Sequence, residues 1–304
     1  MNRGALLDLL GHLDRAGYDF VPPTPLTHGR ALANSAAARA DVLRRLFGWS
    51  DVVDPGELPA GLADMMAAAG VVERRPAGIR SRVRVARCGD LCLHSAFPTD
   101  TQDAVFFGPD SFRFARLIAH EIGDCPPAAT IVDIGTGSGV GALTAARLWP
   151  AARVIGTDIN PIALALARVN ADFAGLRVEF IETGSLDGIG PIDLALANPP
   201  YIIDAAARQY RDGGGKLGTG VALAMAEAAL ARLAPRGRLV LYTGSPIVDG
   251  RDPLRAELGA LCHRHGAELR YDELDPDVFG EELERPEYAG VERIALIGAV
   301  ARRR

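Results

Sequence analysis

The stretch IVDIGTGSGVGALTAARL, residues 131–148, decides the fold, because a glycine turn joins an apolar run to a helical pattern. Gly135, Gly137 and Gly139 stand at alternate positions in that turn. Glycine tolerates positive φ and lets a ligand approach the backbone, and the N-terminus of the following helix offers unpaired N–H groups. The turn is therefore a candidate binding site. Taken alone, it is also compatible with a plain tight connection between a strand and a helix.

Two acidic residues narrow the kind of ligand. A dinucleotide fingerprint, Gly-x-Gly-x-x-Gly, would need its third glycine where this chain has Val140. Asp133 precedes the turn, and a carboxylate there disfavours a pyrophosphate but suits a ligand with a cationic amino group. Asp158 ends the next apolar run, VIGTD, where a carboxylate can accept ribose hydroxyls.

Apolar runs alternate with helical patterns from about residue 100 onward, as expected for parallel strands covered on both faces. A final strand, GVERIALIGAV at 290–300, follows an acidic stretch that we expect to be irregular. The expected fold class is α/β, with a doubly wound, Rossmann-like sheet in a domain of residues 101–304. The predicted strands span 130–134, 153–157, 177–181, 192–197 and 237–243, and the predicted helices span about 111–121, 140–148, 161–173, 219–233 and 252–265.

The first hundred residues show a different pattern. Apolar spacing predicts a helix that ends at Gly17 and two more at about 30–47 and 57–69, followed by a hairpin. Helices followed by a hairpin resemble a winged-helix module. We therefore expect residues 1–100 to form a smaller N-terminal domain, helical and winged-helix-like, for substrate recognition or dimerisation.

A second chemical signal lies in LALANPPYII, residues 194–203, where a hydrophobic strand stops at Asn198-Pro199-Pro200-Tyr201. Prolines lack the N–H that a strand interior needs, so the strand must end there. The Asn198 side-chain oxygen and the Pro199 carbonyl are acceptors, and Pro200 holds that carbonyl in an extended segment. Two fixed acceptors can grip the hydrogens of an –NH₂ group, and the Tyr201 ring can stack on a planar amide or base.

These stretches resemble the class I S-adenosylmethionine-dependent methyltransferases: DIGTGSG and VIGTDIN resemble their first two motifs, and Asn-Pro-Pro-Tyr resembles the catalytic motif of the protein-glutamine N5 and N6-adenine group. The resemblance covers about residues 104–245. It implies S-adenosylmethionine as the cofactor and methyl transfer to a planar nitrogen. The residues it implies for the acceptor and catalysis are Asn198, Pro199, Pro200 and Tyr201, with Phe107, Pro109 and Gly214 as further substrate contacts; those for the cofactor are Asp133, Gly135, Thr136, Gly137, Gly139, Asp158, Ile159, Ser185, Leu186 and Asn198.

The composition limits the other functional classes to which the chain could belong. The 304 residues carry a formal net charge of −5, which argues weakly against a protein that coats nucleic acid through bulk charge. Cys88, Cys92, Cys125 and Cys262 form no Cys-x-x-Cys pair, so we expect free thiols, a cytoplasmic location and no metal. No stretch is apolar enough for a membrane span. A monomer and a homodimer are both compatible with the sequence.

The acceptor is left open by the sequence. We favour an amide or amine of a protein, peptide or small molecule. Six arginines lie between positions 74 and 87, and three of them (Arg80, Arg82 and Arg84) are expected on one strand face. These positive charges support an alternative function, an RNA or DNA base methyltransferase that acts on adenine N6 or guanine N2. A second alternative is a non-catalytic regulator that binds S-adenosylmethionine. The glycine-rich segment 212–220 is compatible with a mobile lid.

Overall fold

The structure is a computed structural model that describes residues 1–34, 37–124, 129–204, 208 and 210–304. The chain divides into two compact units. The first comprises Met1–Arg113, Gly137–Val140 and Pro161–Arg177, and the second comprises Phe114–Thr136, Gly141–Asn160 and Val178–Arg304. The domain boundary at residue 100 stays a prediction, as does the winged-helix-like character of the N-terminal part.

The first 121 residues are mainly helical, with two short antiparallel strand pairs, β1–β2 and β3–β4. Their core gathers the apolar face of the first helix around Leu9, Leu10 and Leu13, which are fully buried. The elements are α1 (Arg3–Arg15), α2 (Pro25–Ala33), α3 (Leu62–Ala69), β1 (Val72–Arg75), β2 (Gly78–Ser81), β3 (Val83–Cys88), β4 (Asp90–Ser95) and α4 (Pro109–Glu121).

The prediction of a helix at about 30–47 is wrong. Helix α2 begins at Pro25, where the Thr24 hydroxyl accepts a hydrogen bond from the Thr27 N–H, and it ends at Ala33. Proline at the first helical position after a threonine cap is a start signal that the apolar spacing had hidden. The helix predicted at 57–69 begins only at Leu62, because Gly61 adopts a left-handed φ of 79° directly before it.

The three arginines predicted on one strand face, Arg80, Arg82 and Arg84, do not share one, because Arg80 lies in β2 and Arg84 in β3. Arg84 lies in β3, is 4% exposed, and donates through Nε to the Gly48 carbonyl at 2.8 Å. Arg87 donates to the Tyr18 carbonyl at 2.7 Å, and Arg80 to a backbone carbonyl of the same unit. These three side chains therefore bind backbone within the first unit, and Arg84 is too buried to contact a nucleic acid.

The described residues of the second half of the chain form one mixed sheet of seven strands, in the order β10-β11-β9-β8-β5-β6-β7. Strands β7, β6, β5, β8 and β9 are parallel, whereas β11 and β10 add antiparallel partners at one edge. The predicted α/β, Rossmann-like sheet is confirmed. Its elements are β5 (Thr130–Ile134), α5 (Val140–Leu148), β6 (Arg153–Asp158), α6 (Pro161–Phe173), β7 (Glu179–Glu182), β8 (Ile192–Ala197), α7 (Gly220–Arg232), β9 (Leu233–Val248), α8 (Pro253–Arg264), β10 (Ala267–Asp275) and β11 (Val291–Arg303).

The acidic stretch that we expected to be irregular contains β10. This edge strand alternates half-buried Ala267, Leu269 and Tyr271 with exposed polar residues, so its signal is a period of two rather than an apolar run. Strand β9 is also longer than predicted, because it pairs with β11 well beyond the last parallel partner.

Within the described ranges, Cys88, Cys92 and Cys262 form no disulfide, and Cys125 lies outside those ranges. No helix of the described residues is long and apolar enough to cross a membrane.

Candidate active site

The carboxyl edge of the second unit's sheet carries the predicted motifs. Ile134 at the end of β5 pairs with Thr157 on β6 and with Ala197 on β8. Because all three strands are parallel, Gly135 at the start of the glycine turn, Asp158 and Asn198 emerge at one edge. The chain runs from β5 outward to β7 and then returns to β8 on the other side of β5. Ligands of open α/β sheets bind at such a reversal of strand order.

The glycine turn needs its glycines. Gly135, Gly137 and Gly139 have φ values of 67°, 55° and 93°, which place all three in the left-handed region. A side chain would strain each of these conformations. Helix α5 begins directly after Gly139, so its first N–H groups lie next to the turn.

The Asp133 carboxylate holds this turn through hydrogen bonds. Its side chain is 2% exposed, and its Oδ2 accepts hydrogen bonds from the Thr136 hydroxyl at 2.5 Å and from the Ala142 N–H at 2.8 Å. A Cβ on Gly141 would lie 2.5 Å from Asp133 Oδ1, so only glycine leaves room for the carboxylate. Burial raises the pKa of Asp133 to about 7. Asp133 and Thr136 thus shape the turn, a role beyond the predicted ligand contact.

The end of β6 presents the residues predicted near the ribose and the base. Asp158 Oδ1 accepts the Asn160 N–H at 2.9 Å, which orients its carboxylate at the strand end. Ile159 is 55% exposed, an unusual degree for isoleucine and a suitable apolar surface for a flat ring. Ser185 is exposed, but Leu186 is 4% exposed and packs in the hydrophobic core, so only its backbone remains for a ligand.

The tetrapeptide Asn198-Pro199-Pro200-Tyr201 follows β8. Asn198 is half-buried at the strand end, and Pro199 is buried. The Tyr201 ring is 6% exposed: it lies over Gly244, where a Cβ would overlap it, and meets the Phe279 ring edge-on at 5.9 Å between centroids. The structure therefore buries the ring that we predicted as a stacking surface for the acceptor.

The glycine-rich segment packs on the tetrapeptide. Gly213 N donates to the Ile202 carbonyl at 2.8 Å. A Cβ on Gly218 would lie 2.7 Å from the Tyr201 carbonyl oxygen, so glycine is required by this close approach as well as by a φ of 76°. Gly214 lies between them with a φ of 61°. Residues 205–207 and 209, within the segment that precedes these glycines, lie outside the described residues.

The C-terminal part of the chain contributes contacts that the sequence did not predict. Tyr288 Oη accepts the Ile203 N–H at 2.8 Å, and Arg285 Nη1 donates to the Ile203 carbonyl at 2.6 Å. Glu282 joins Arg285 to Arg211. No local pattern marks these residues, because their partners are far away along the chain.

Two predicted substrate residues belong to the first unit. Phe107 is 1% exposed and stacks on His94 with 5.2 Å between ring centroids, so its side chain is part of that unit's interior. Pro109 is half-buried and begins α4. Within the described residues, no group of three or more His, Cys, Asp or Glu side chains is arranged for a metal ion.

Comparison with known proteins adds to this geometry. Residues 113–247 match the methyltransferase small domain. The chain is 37% identical over 151 residues to a release factor glutamine methyltransferase of Deinococcus radiodurans, a match that covers 48% of this chain and 45% of that protein. It is 32% identical over 220 residues to a release factor glutamine methyltransferase of Cereibacter sphaeroides, covering 66% of this chain and 77% of the relative. A ribosomal protein L11 methyltransferase of Geobacter metallireducens is 34% identical over 110 residues, or 36% of this chain and 34% of the relative.

The sheet, the motifs at its carboxyl edge and these relatives define an S-adenosylmethionine-dependent methyltransferase of class I. Within that class, the chain belongs to the family of the release factor glutamine methyltransferases. The predicted family is confirmed. The chain spans less than half the length of the Deinococcus relative, so the activity and the cofactor are proposals for this protein.

Proposed function

We propose that this protein transfers a methyl group from S-adenosylmethionine to the side-chain amide nitrogen of a glutamine in a peptide-chain release factor. The observation that carries the proposal is the pairing of β5 with β8, which brings Asn198 to the edge where the glycine turn opens. The relatives from Deinococcus and Cereibacter support a glutamine of a release factor as the acceptor.

The cofactor residues fit the cofactor in charge and shape. The three glycines provide a backbone surface without side chains, and Asp158 provides a carboxylate for ribose hydroxyls. Exposed Ile159 provides an apolar face for the adenine. Asp133 binds the turn, and the ionised form of its carboxylate favours the cationic amino group of the methionine part. When bound, the cofactor supplies an electrophilic methyl group on a positively charged sulfur.

The tetrapeptide orients the acceptor. The Asn198 side-chain oxygen and the Pro199 carbonyl accept the two hydrogens of the glutamine –NH₂, which turns the nitrogen lone pair toward the methyl carbon. With the cofactor bound, Asn198 and Pro199 would hold this nitrogen in line with the carbon–sulfur bond, so that it would receive the methyl group and release one proton to solvent. Such alignment can supply on the order of 7–11 kcal/mol of the barrier.

The experiment is methyl transfer in vitro. The protein is incubated with radiolabelled S-adenosylmethionine and a purified release factor, and mass spectrometry then locates the methyl group. We expect one methyl group on a glutamine side chain, insensitive to ribonuclease treatment. Transfer only to RNA or DNA would support the alternative acceptor instead, and binding of the cofactor without any transfer would support the regulator.

A further inference from the structure

A cluster of three residues near the C-terminus, which we call the clamp, holds the backbone just beyond the tetrapeptide. The clamp is formed by Glu282, Arg285 and Tyr288. Tyr288 Oη accepts the Ile203 N–H at 2.8 Å, and Arg285 Nη1 donates to the Ile203 carbonyl at 2.6 Å. Both polar backbone groups of a single residue are thus bound by side chains that lie 85 and 82 positions further along the chain.

Two residues of the clamp are buried, the third, Arg285, is half-buried, and ion pairs link the cluster. Tyr288 is 1% exposed and Glu282 is 6% exposed. Glu282 accepts a hydrogen bond from Arg285 at 2.7 Å and forms an ion pair with Arg211, which belongs to the loop after the tetrapeptide. Hydrogen bonds between charged groups in a buried setting are strong, and loss of one partner leaves the others unsatisfied.

The residues on either side of Ile203 are held as well. The Ile202 carbonyl accepts the Gly213 N–H at 2.8 Å. The Asp204 carboxylate binds Arg208 through two oxygens at 2.7 Å, and this pairing lowers the pKa of Asp204 to about 2. Three consecutive residues, 202–204, are therefore anchored, and rigid prolines lie two and three positions before the first of them. The backbone between Asn198 and these anchored residues therefore has little freedom to move.

We propose that Arg285 and Tyr288 are positioning residues for methyl transfer. They act through Ile203 and keep the Asn198 oxygen and the Pro199 carbonyl where the acceptor –NH₂ needs them. The inference rests on the proposed function, since it takes the tetrapeptide as the group that grips the acceptor. A displacement of about 1 Å in such an alignment lowers a rate about a hundredfold.

The test is the substitution Tyr288→Phe, which removes only the hydroxyl that accepts the Ile203 N–H. We expect kcat with the release factor to fall about tenfold to a hundredfold, while the dissociation constant for S-adenosylmethionine stays within about twofold. The matched control is Tyr18→Phe: Tyr18 is 3% exposed, and its hydroxyl also bonds to backbone, at 2.9 Å from the Val85 carbonyl. We expect that control to keep the wild-type kcat.

A second variant and a second measurement keep the outcomes distinct. Arg285→Lys retains a cationic donor and should lose less activity than Arg285→Met. Amide hydrogen exchange should show lost protection at residues 202–204 in Tyr288→Phe. If the wild-type protein transfers no methyl group to a release factor, the proposed function fails, and exchange alone then decides the clamp. Wild-type kcat and wild-type exchange in Tyr288→Phe, or a parallel loss of cofactor affinity and kcat, would overturn the inference. Should Tyr288→Phe fail to fold, the two Arg285 variants decide it by the same criteria.

Discussion

The two sides of the candidate site are built over very different distances along the chain. On the cofactor side, Asp133 contacts Thr136 and Ala142, which are three and nine positions away. On the acceptor side, Ile203 is held by Arg285 and Tyr288, 82 and 85 positions away. Local contacts make the cofactor side a property of one short stretch of sequence. The acceptor side also depends on contacts with a distant C-terminal segment, so a substitution there can alter it while the cofactor side stays the same.

We expect a substitution on the acceptor side to lower methyl transfer without lowering cofactor affinity. Asn198→Ala is the strongest test of this expectation. The substitution removes one acceptor for the –NH₂ group and leaves the glycine turn untouched. We expect methyl transfer to fall by about tenfold to a thousandfold, with S-adenosylmethionine affinity nearly unchanged by calorimetry. An equal loss of cofactor binding would show that the two sides are one unit.

Gly141→Ala tests the cofactor side. In an ordinary helix this change stabilises, but here the new Cβ would lie 2.5 Å from Asp133 Oδ1 and displace the carboxylate. We expect a loss of about 1–3 kcal/mol in the free energy of unfolding, and a loss of about tenfold in cofactor affinity. The matched control is Gly259→Ala in α8, where no atom of the described chain approaches within 4 Å of the added carbon. That variant should be slightly stabilised in thermal unfolding; a similar result for Gly141→Ala would disprove the role of the close approach.

The pH dependence of cofactor binding should be the smallest effect. Asp133 has a raised pKa of about 7 in the folded protein. Its ionised form is therefore disfavoured below neutral pH, and its contribution to stability falls as the pH rises from about 4 toward 7. A cationic amino group favours the ionised form, so affinity for S-adenosylmethionine should rise, by less than about tenfold, between about pH 6 and pH 8.

Calorimetry in two buffers of different ionisation enthalpy checks this, because binding near neutral pH should release a proton. The Asp133→Asn variant should show neither the proton release nor the pH dependence. A wild-type affinity that is flat over this range would exclude an ionisation of Asp133 on binding.

Much of the cofactor side was predictable from residues 131–158. Alternate glycines between a strand and a helix require left-handed φ values wherever they occur, and the carboxyl ends of neighbouring parallel strands meet at one edge by geometry alone. The same reasoning placed Asn198 on that edge. The predictions missed β10, whose signal is an alternation rather than an apolar run, and misplaced the start of α2, where proline follows a threonine cap.

By itself, the sequence determined the α/β class, the glycine turn, the strand-end carboxylate and the amide of the tetrapeptide, since each depends on neighbours a few positions away. Only the tertiary structure decided that the Tyr201 ring is buried between Gly244 and Phe279. It also decided that Arg84 and Arg87 stabilise the first unit and that the clamp grips Ile203. These contacts join segments between about 35 and 85 positions apart, and which partner a buried polar group finds at such distances is set by packing.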